Sequence, residues 1–71
     1  TEIYVNSGGA LWRVAGKAVR LTDARFERIG QSGRYPVYAE RNETKDPRVI
    51  YVPSRSGFVA PYERAGKTPK Y

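Results

Sequence analysis

The chain is predicted to be all-β, a small single-domain antiparallel barrel of five to six short strands, of SH3-like or OB-like size, with at most one short helical turn. Three observations predict it. The phrases Ile3-Tyr4-Val5, Val37-Tyr38-Ala39 and Ile50-Tyr51-Val52 each set one tyrosine between two apolar residues, the alternation of a strand with one buried face. Turn residues recur every eight to twelve positions, the rhythm of a sandwich or small barrel. Finally, 71 residues allow one domain, which at this size buries only about 60% of its unfolded surface.

Taken in order, Glu2 to Asn6 reads as a first strand, and Asn6-Ser7-Gly8-Gly9 as a turn whose glycines tolerate positive φ. Ala10 to Ala15 returns, with Trp12 and Val14 on one face and Leu11 and Arg13 on the other. Gly16-Lys17 turns the chain into Ala18 to Leu21. Thr22 to Gly30 has two readings. A short helix capped by Thr22 or Asp23 would place Phe26 and Ile29 on one face and stop at Gly30. A strand from Arg25 to Gly30, paired through Gln31-Ser32-Gly33 with Arg34 to Glu40, is favoured, because a helix of about seven residues needs tertiary support. A single helical turn at Thr22 to Ala24 is compatible with that strand.

Pro36 lacks an amide hydrogen and places Tyr35 to Glu40 at a sheet edge or a bulge. Arg41 to Pro47 is a charged loop. Arg48 to Val52 is the clearest strand, ending at Pro53; Ser54 to Gly57 turns, and Phe58-Val59-Ala60 begins a last strand cut short by Pro61. The domain then spans residues 1–64, with 65–71 a polar C-terminal tail. Val5, Leu11, Val14, Val19, Leu21, Phe26, Ile29, Val37, Ile50, Val52 and Val59 are the expected core.

Composition excludes more than it proposes. The chain has no histidine, cysteine or methionine, which removes the usual general base near neutral pH, thiolate chemistry, zinc and iron–sulfur ligation and disulfides. A non-enzyme is expected, with no cofactor and no metal. Short motifs lead the same way. Gly66-Lys67-Thr68 resembles the end of a phosphate-binding loop, but Pro61 stands where the first glycine is required. Asn42-Glu43-Thr44 has the form of a glycosylation sequon, relevant only to a eukaryotic secreted protein. Glu40 and Glu43 sit beside Arg41 and lack the apolar surroundings a catalytic acid needs.

Thirteen lysines and arginines, nine of them arginine, oppose seven acids for a formal charge of +6, so acidic partners are expected. Set outward, Tyr4, Tyr38 and Tyr51 offer rigid amphipathic area, and Arg34, Arg41, Arg48, Arg55 and Arg64 can stack on rings or fork onto carboxylates and phosphates. With Tyr62, these residues form the expected partner-binding set, of the types that interface hot spots select. The opposing reading is that the tyrosines simply cover the barrel. As an interface, the set fits either an acidic protein partner or self-assembly, aided by an unpaired edge near Pro36, or a single-stranded nucleic acid on a basic aromatic surface. The acids interleaved at Glu27, Glu40, Glu43, Asp46 and Glu63 favour protein. No apolar stretch approaches the roughly 18 residues of a membrane helix, and no small-molecule substrate is indicated. The chain starts at Thr1, which fits methionine removal or signal-peptide cleavage equally, so no compartment is assigned.

Overall fold

Strands account for most of residues 4–67, the residues described by the computed structural model. In chain order they are β1 (Tyr4–Ser7), β2 (Ala10–Val14), β3 (Val19–Arg20), β4 (Phe26–Ser32), β5 (Tyr35–Glu40), β6 (Val49–Arg55) and β7 (Phe58–Lys67), with one 3-10 turn over Arg41–Glu43. All pairings are antiparallel, and the sheet order is β1-β2-β7-β6-β5-β4, with β3 also paired to β7. The predicted all-β architecture is therefore present, as a curled half-barrel. Among the described residues no helix is long and apolar enough to cross a membrane.

Turn chemistry sets the register. Gly8 and Gly9 both have positive φ, 61° and 78°, and close the β1–β2 hairpin at the Ser7–Ala10 pair, as a two-residue primed turn requires. The β4–β5 turn falls on Gly33-Arg34, with Gly33 at φ 59° and Ser32 opposite Tyr35, a little later than the predicted Gln31-Ser32-Gly33. Of the two readings of residues 22–30, the strand is the one formed. A single turn precedes it, in which Phe26 N–H donates to Thr22 O at 3.1 Å.

Two prolines, Pro53 and Pro61, are expected to end strands and a third, Pro36, to mark an edge or a bulge; the sheet accommodates each within a strand instead. β7 passes through Pro61 and is the central element: β6 lies along one side, β2 and β3 follow one another along the other. Pro61 O accepts from Ala15 N–H at 2.9 Å, so its missing donor falls at the gap where the chain leaves β2 for β3. β6 likewise continues through Pro53 to Arg55; Pro53 lies beyond the β5 pairing and is followed by a register slip before Arg55, a position proline tolerates. Pro36 does not mark an edge. β5 lies between β4 and β6, and Pro36, opposite Gln31, falls short of the β5–β6 register pair Tyr38–Tyr51. Residues 65–67, expected to open the tail, extend β7; residues 68–71 lie outside the described residues.

The sheet is apolar on both faces, so the tyrosines of the three phrases lie opposite the inner aliphatics as expected, but their face is partly covered, and Tyr62 lies in the inner core. On the inner face Val5, Ala10, Trp12, Val37, Ile50, Val52, Ala60 and Tyr62 form the main core. Each aliphatic fully buried there contributes about 1.5–3 kcal/mol. On the opposite face Phe26, Tyr51 and Val59 form a second cluster, with Val19, Leu21, Tyr38 and Val49 packed against it. Tyr51 does alternate with Ile50 and Val52, but its face is covered by β3 and the start of β4, not by water. The Phe26 and Tyr51 rings meet at 4.7 Å and 60°, a favourable tilted pair. Ile29, expected in the core, is exposed because the β4–β5 register slips between Arg28 and Gly30 and leaves it on a bulge.

Candidate functional site

Curling of the sheet brings its two outermost strands together. Five strand-to-strand steps separate β1 from β4, roughly 24 Å on a flat sheet at about 4.8 Å per step. Yet Ser32 Oγ on β4 donates to the backbone carbonyl of Asn6 on β1 at 2.6 Å. The result is a seam held by this side-chain bond and flanked by two sheet edges.

An open groove of about 440 Å³ runs along the seam, lined by Tyr4, Val5, Asn6, Ser32, Gly33, Arg34 and Tyr35. Tyr4 is 48% exposed and Tyr35 38%, large rings left in contact with water at the groove walls. Arg34 sits at the hairpin tip on Gly33, whose positive φ turns the chain there. Among the described residues Arg34 has no carboxylate partner, and no acid lines the groove.

The nine expected partner-binding residues do not form one surface. Tyr4 and Arg34 meet in the groove. Tyr51 and Tyr62 are buried, 7% and 1% exposed, and are structural; Tyr38 is half-buried against the second cluster. Arg41 is committed to the fold, donating through Nε to Asp23 O at 2.6 Å and through a terminal nitrogen to Glu27 Oε1 at 3.1 Å. Arg48 and Arg64 line a separate cleft with Asp46, Pro47, Val49 and Glu63; Arg64 also lies 5.0 Å from the Trp12 ring and 3.5 Å from Asp46. Arg55 rests on Phe58 at the far hairpin. Tyr35 is the groove residue the sequence reading omitted. Its signal is its place beside Arg34 at a Gly-containing turn, ahead of the first fully buried residue of β5, Val37.

Three of the five acids interleaved in sequence are engaged elsewhere. Glu27 pairs with Arg41, Glu40 with Arg25 and with the Tyr51 hydroxyl, and Asp46 with Arg64. Burial, then the bond to Glu40 and its negative charge, push the Tyr51 hydroxyl above its ordinary range, partly offset by Arg25. Compared with known proteins, the chain matches no family model, no curated protein and no solved structure.

Proposed function

We propose that this chain is a non-catalytic docking module that takes an extended acidic segment of a protein partner along the β1–β4 seam. One observation carries the reading: the two outermost strands of the sheet face each other across a groove lined by two exposed tyrosines and an arginine, with no carboxylate at the groove or on that arginine among the described residues. Sheet edges offer backbone donors and acceptors to an added strand. Tyr4 and Tyr35 supply contact area at low entropic cost, and Arg34 supplies a fork for a carboxylate. A strand of the same chain from a second copy is the self-assembling form of this mode.

The absence of acids among the described lining residues also favours a second reading, a single-stranded nucleic acid stacked on Tyr4 and Tyr35 with Arg34 on phosphate. The nearby edges favour the peptide, because they add main-chain hydrogen bonds that a nucleic acid would leave unused. Titration with a short peptide alternating glutamate and valine, and with a single-stranded oligonucleotide, decides between them when mass in solution is followed in parallel. The expected result is peptide binding that protects β1 amides from exchange and weakens at least tenfold in Tyr4→Ala and Arg34→Gln. Micromolar oligonucleotide binding at physiological salt, falling log-linearly as salt rises and lost in Tyr4→Ala, transfers the assignment to nucleic acid. Absence of both, with a monomeric mass, rejects the groove as a docking site.

A further inference from the structure

We propose that Arg20, Phe58 and Arg55 form a binding site for a phosphomonoester dianion at the β6–β7 hairpin, far in the chain from the seam residues. The three residues are a cross-strand row: Arg20 on β3 is opposite Phe58 on β7, and Phe58 is opposite Arg55 on β6. Residues directly opposite one another point to the same face of a sheet, so both guanidiniums lean on one ring. Their central carbons lie 5.4 Å and 4.5 Å from the Phe58 centroid. The two charges are thereby held within about 10 Å of each other, one Debye length at 0.1 M salt, where like charges still repel.

Nothing within the described residues relieves that repulsion. The ion pairs engage Arg25, Arg41 and Arg64, and among the described residues neither the Arg20 nor the Arg55 side chain joins a carboxylate or donates a hydrogen bond. Stacking uses the flat face of a guanidinium and leaves its in-plane N–H groups directed outward. Two such forks present paired donors of the geometry that phosphate oxygens accept. The platform is fixed, since Leu21 N–H donates to Gly57 O at 2.9 Å and ties β3 to the hairpin next to Arg20. Two positive charges match the −1.5 to −2 of a phosphomonoester better than the single charge of a carboxylate or a phosphodiester.

The test is an NMR titration of the whole chain with inorganic phosphate and with phosphoserine at constant ionic strength, following the Phe58 ring and the arginine Nε–H signals. Saturable shifts confined to Arg20, Arg55 and Phe58 are expected, with phosphoserine binding weakening as pH falls through about 6 and the dianion takes up a proton. Arg20→Gln and Arg55→Gln should each weaken binding tenfold or more, whereas Arg13→Gln, an equal loss of charge on β2, should leave it within twofold. Arg55→Lys keeps the charge and loses the fork, and should weaken binding severalfold. Tighter binding of phosphoserine than of inorganic phosphate places the phosphate on a protein; equal binding places it on a free ion. No saturation at tens of millimolar, equal losses in Arg13→Gln and Arg55→Gln, or wild-type affinity in Arg55→Lys would overturn the site.

Discussion

Tyr51 donates its phenolic hydrogen to Glu40 Oε1 across the β5–β6 pair at 3.1 Å. The residue expected to face a partner instead anchors the second apolar cluster, with its hydroxyl turned to the cluster rim, where Glu40 also lies 3.7 Å from Arg25. Tyr51→Phe keeps the ring against Phe26 and removes this bond. The expected loss is about 1 kcal/mol at neutral pH, measured by denaturant unfolding.

The same contact makes a pH prediction. Burial and the Glu40 carboxylate raise the Tyr51 hydroxyl above its ordinary value. The folded state therefore holds this proton more tightly than the unfolded chain does. Its contribution is complete below about pH 10 and is lost as pH rises through the raised value. Unfolding midpoints above pH 10 should fall more steeply for the wild type than for Tyr51→Phe. Parallel curves would mean that the hydroxyl titrates alike in both states.

Burial sets the order of cost among these side chains. Tyr51→Ala and Tyr62→Ala should each destabilise by about 3–5 kcal/mol, as large aromatics removed from a core do, and Val5→Ala or Val52→Ala by about 1–3 kcal/mol. Tyr4→Ala, on an exposed ring, should cost under about 0.5 kcal/mol. Equal losses at Tyr4 and Tyr62, read from urea midpoints, would contradict the described faces.

The fold class was legible because Gly8-Gly9, Gly33 and Gly57 occupy turn positions with positive φ that other residues resist. The alternation at Val37, Ile50 and Val52 names the inner face correctly. Period-two alternation tells which residues share a face, but not whether another strand covers the other face, and so Tyr51 reads as surface; Tyr62 reads so for a different reason, because the last strand is expected to stop at Pro61, whereas β7 continues and sets Tyr62 in the inner core. The prolines misled for a related reason: a missing donor matters only where a partner would have used it, and at Pro61 the ladder has a gap between β2 and β3. Only Tyr4 and Arg34 of the expected site meet in the seam groove, since bringing β1 beside β4 depends on the curl of the whole sheet. Single-strand patterns carry no record of it.

Ser54 provides a local test of the β6 bulge. Its hydroxyl is buried without a hydrogen-bond partner among the described residues, and it stands where the register slips between Pro53 and Arg55. An unmet buried hydroxyl costs about 1–3 kcal/mol, and deleting it removes that cost at little loss of volume. Ser54→Ala should therefore be neutral or raise the thermal midpoint. A marked fall would show that the hydroxyl has a partner in solution.

Ser32 and Asn6 put the proposed docking mode to a sharper test. A strand pairing along β1 would compete with Ser32 Oγ for the Asn6 carbonyl. Ser32→Ala removes that competitor at a cost of about 1 kcal/mol in stability, as for an ordinary hydrogen bond. The acidic peptide should then bind more tightly, by up to about fivefold if the whole of that energy returns to the complex. Ser32→Thr, which retains the hydroxyl, should bind as the wild type. Weaker peptide binding in Ser32→Ala, with β1 amides exchanging faster in the free protein, would mean that the bond builds the groove instead of guarding it, and strand addition at β1 would have to be given up.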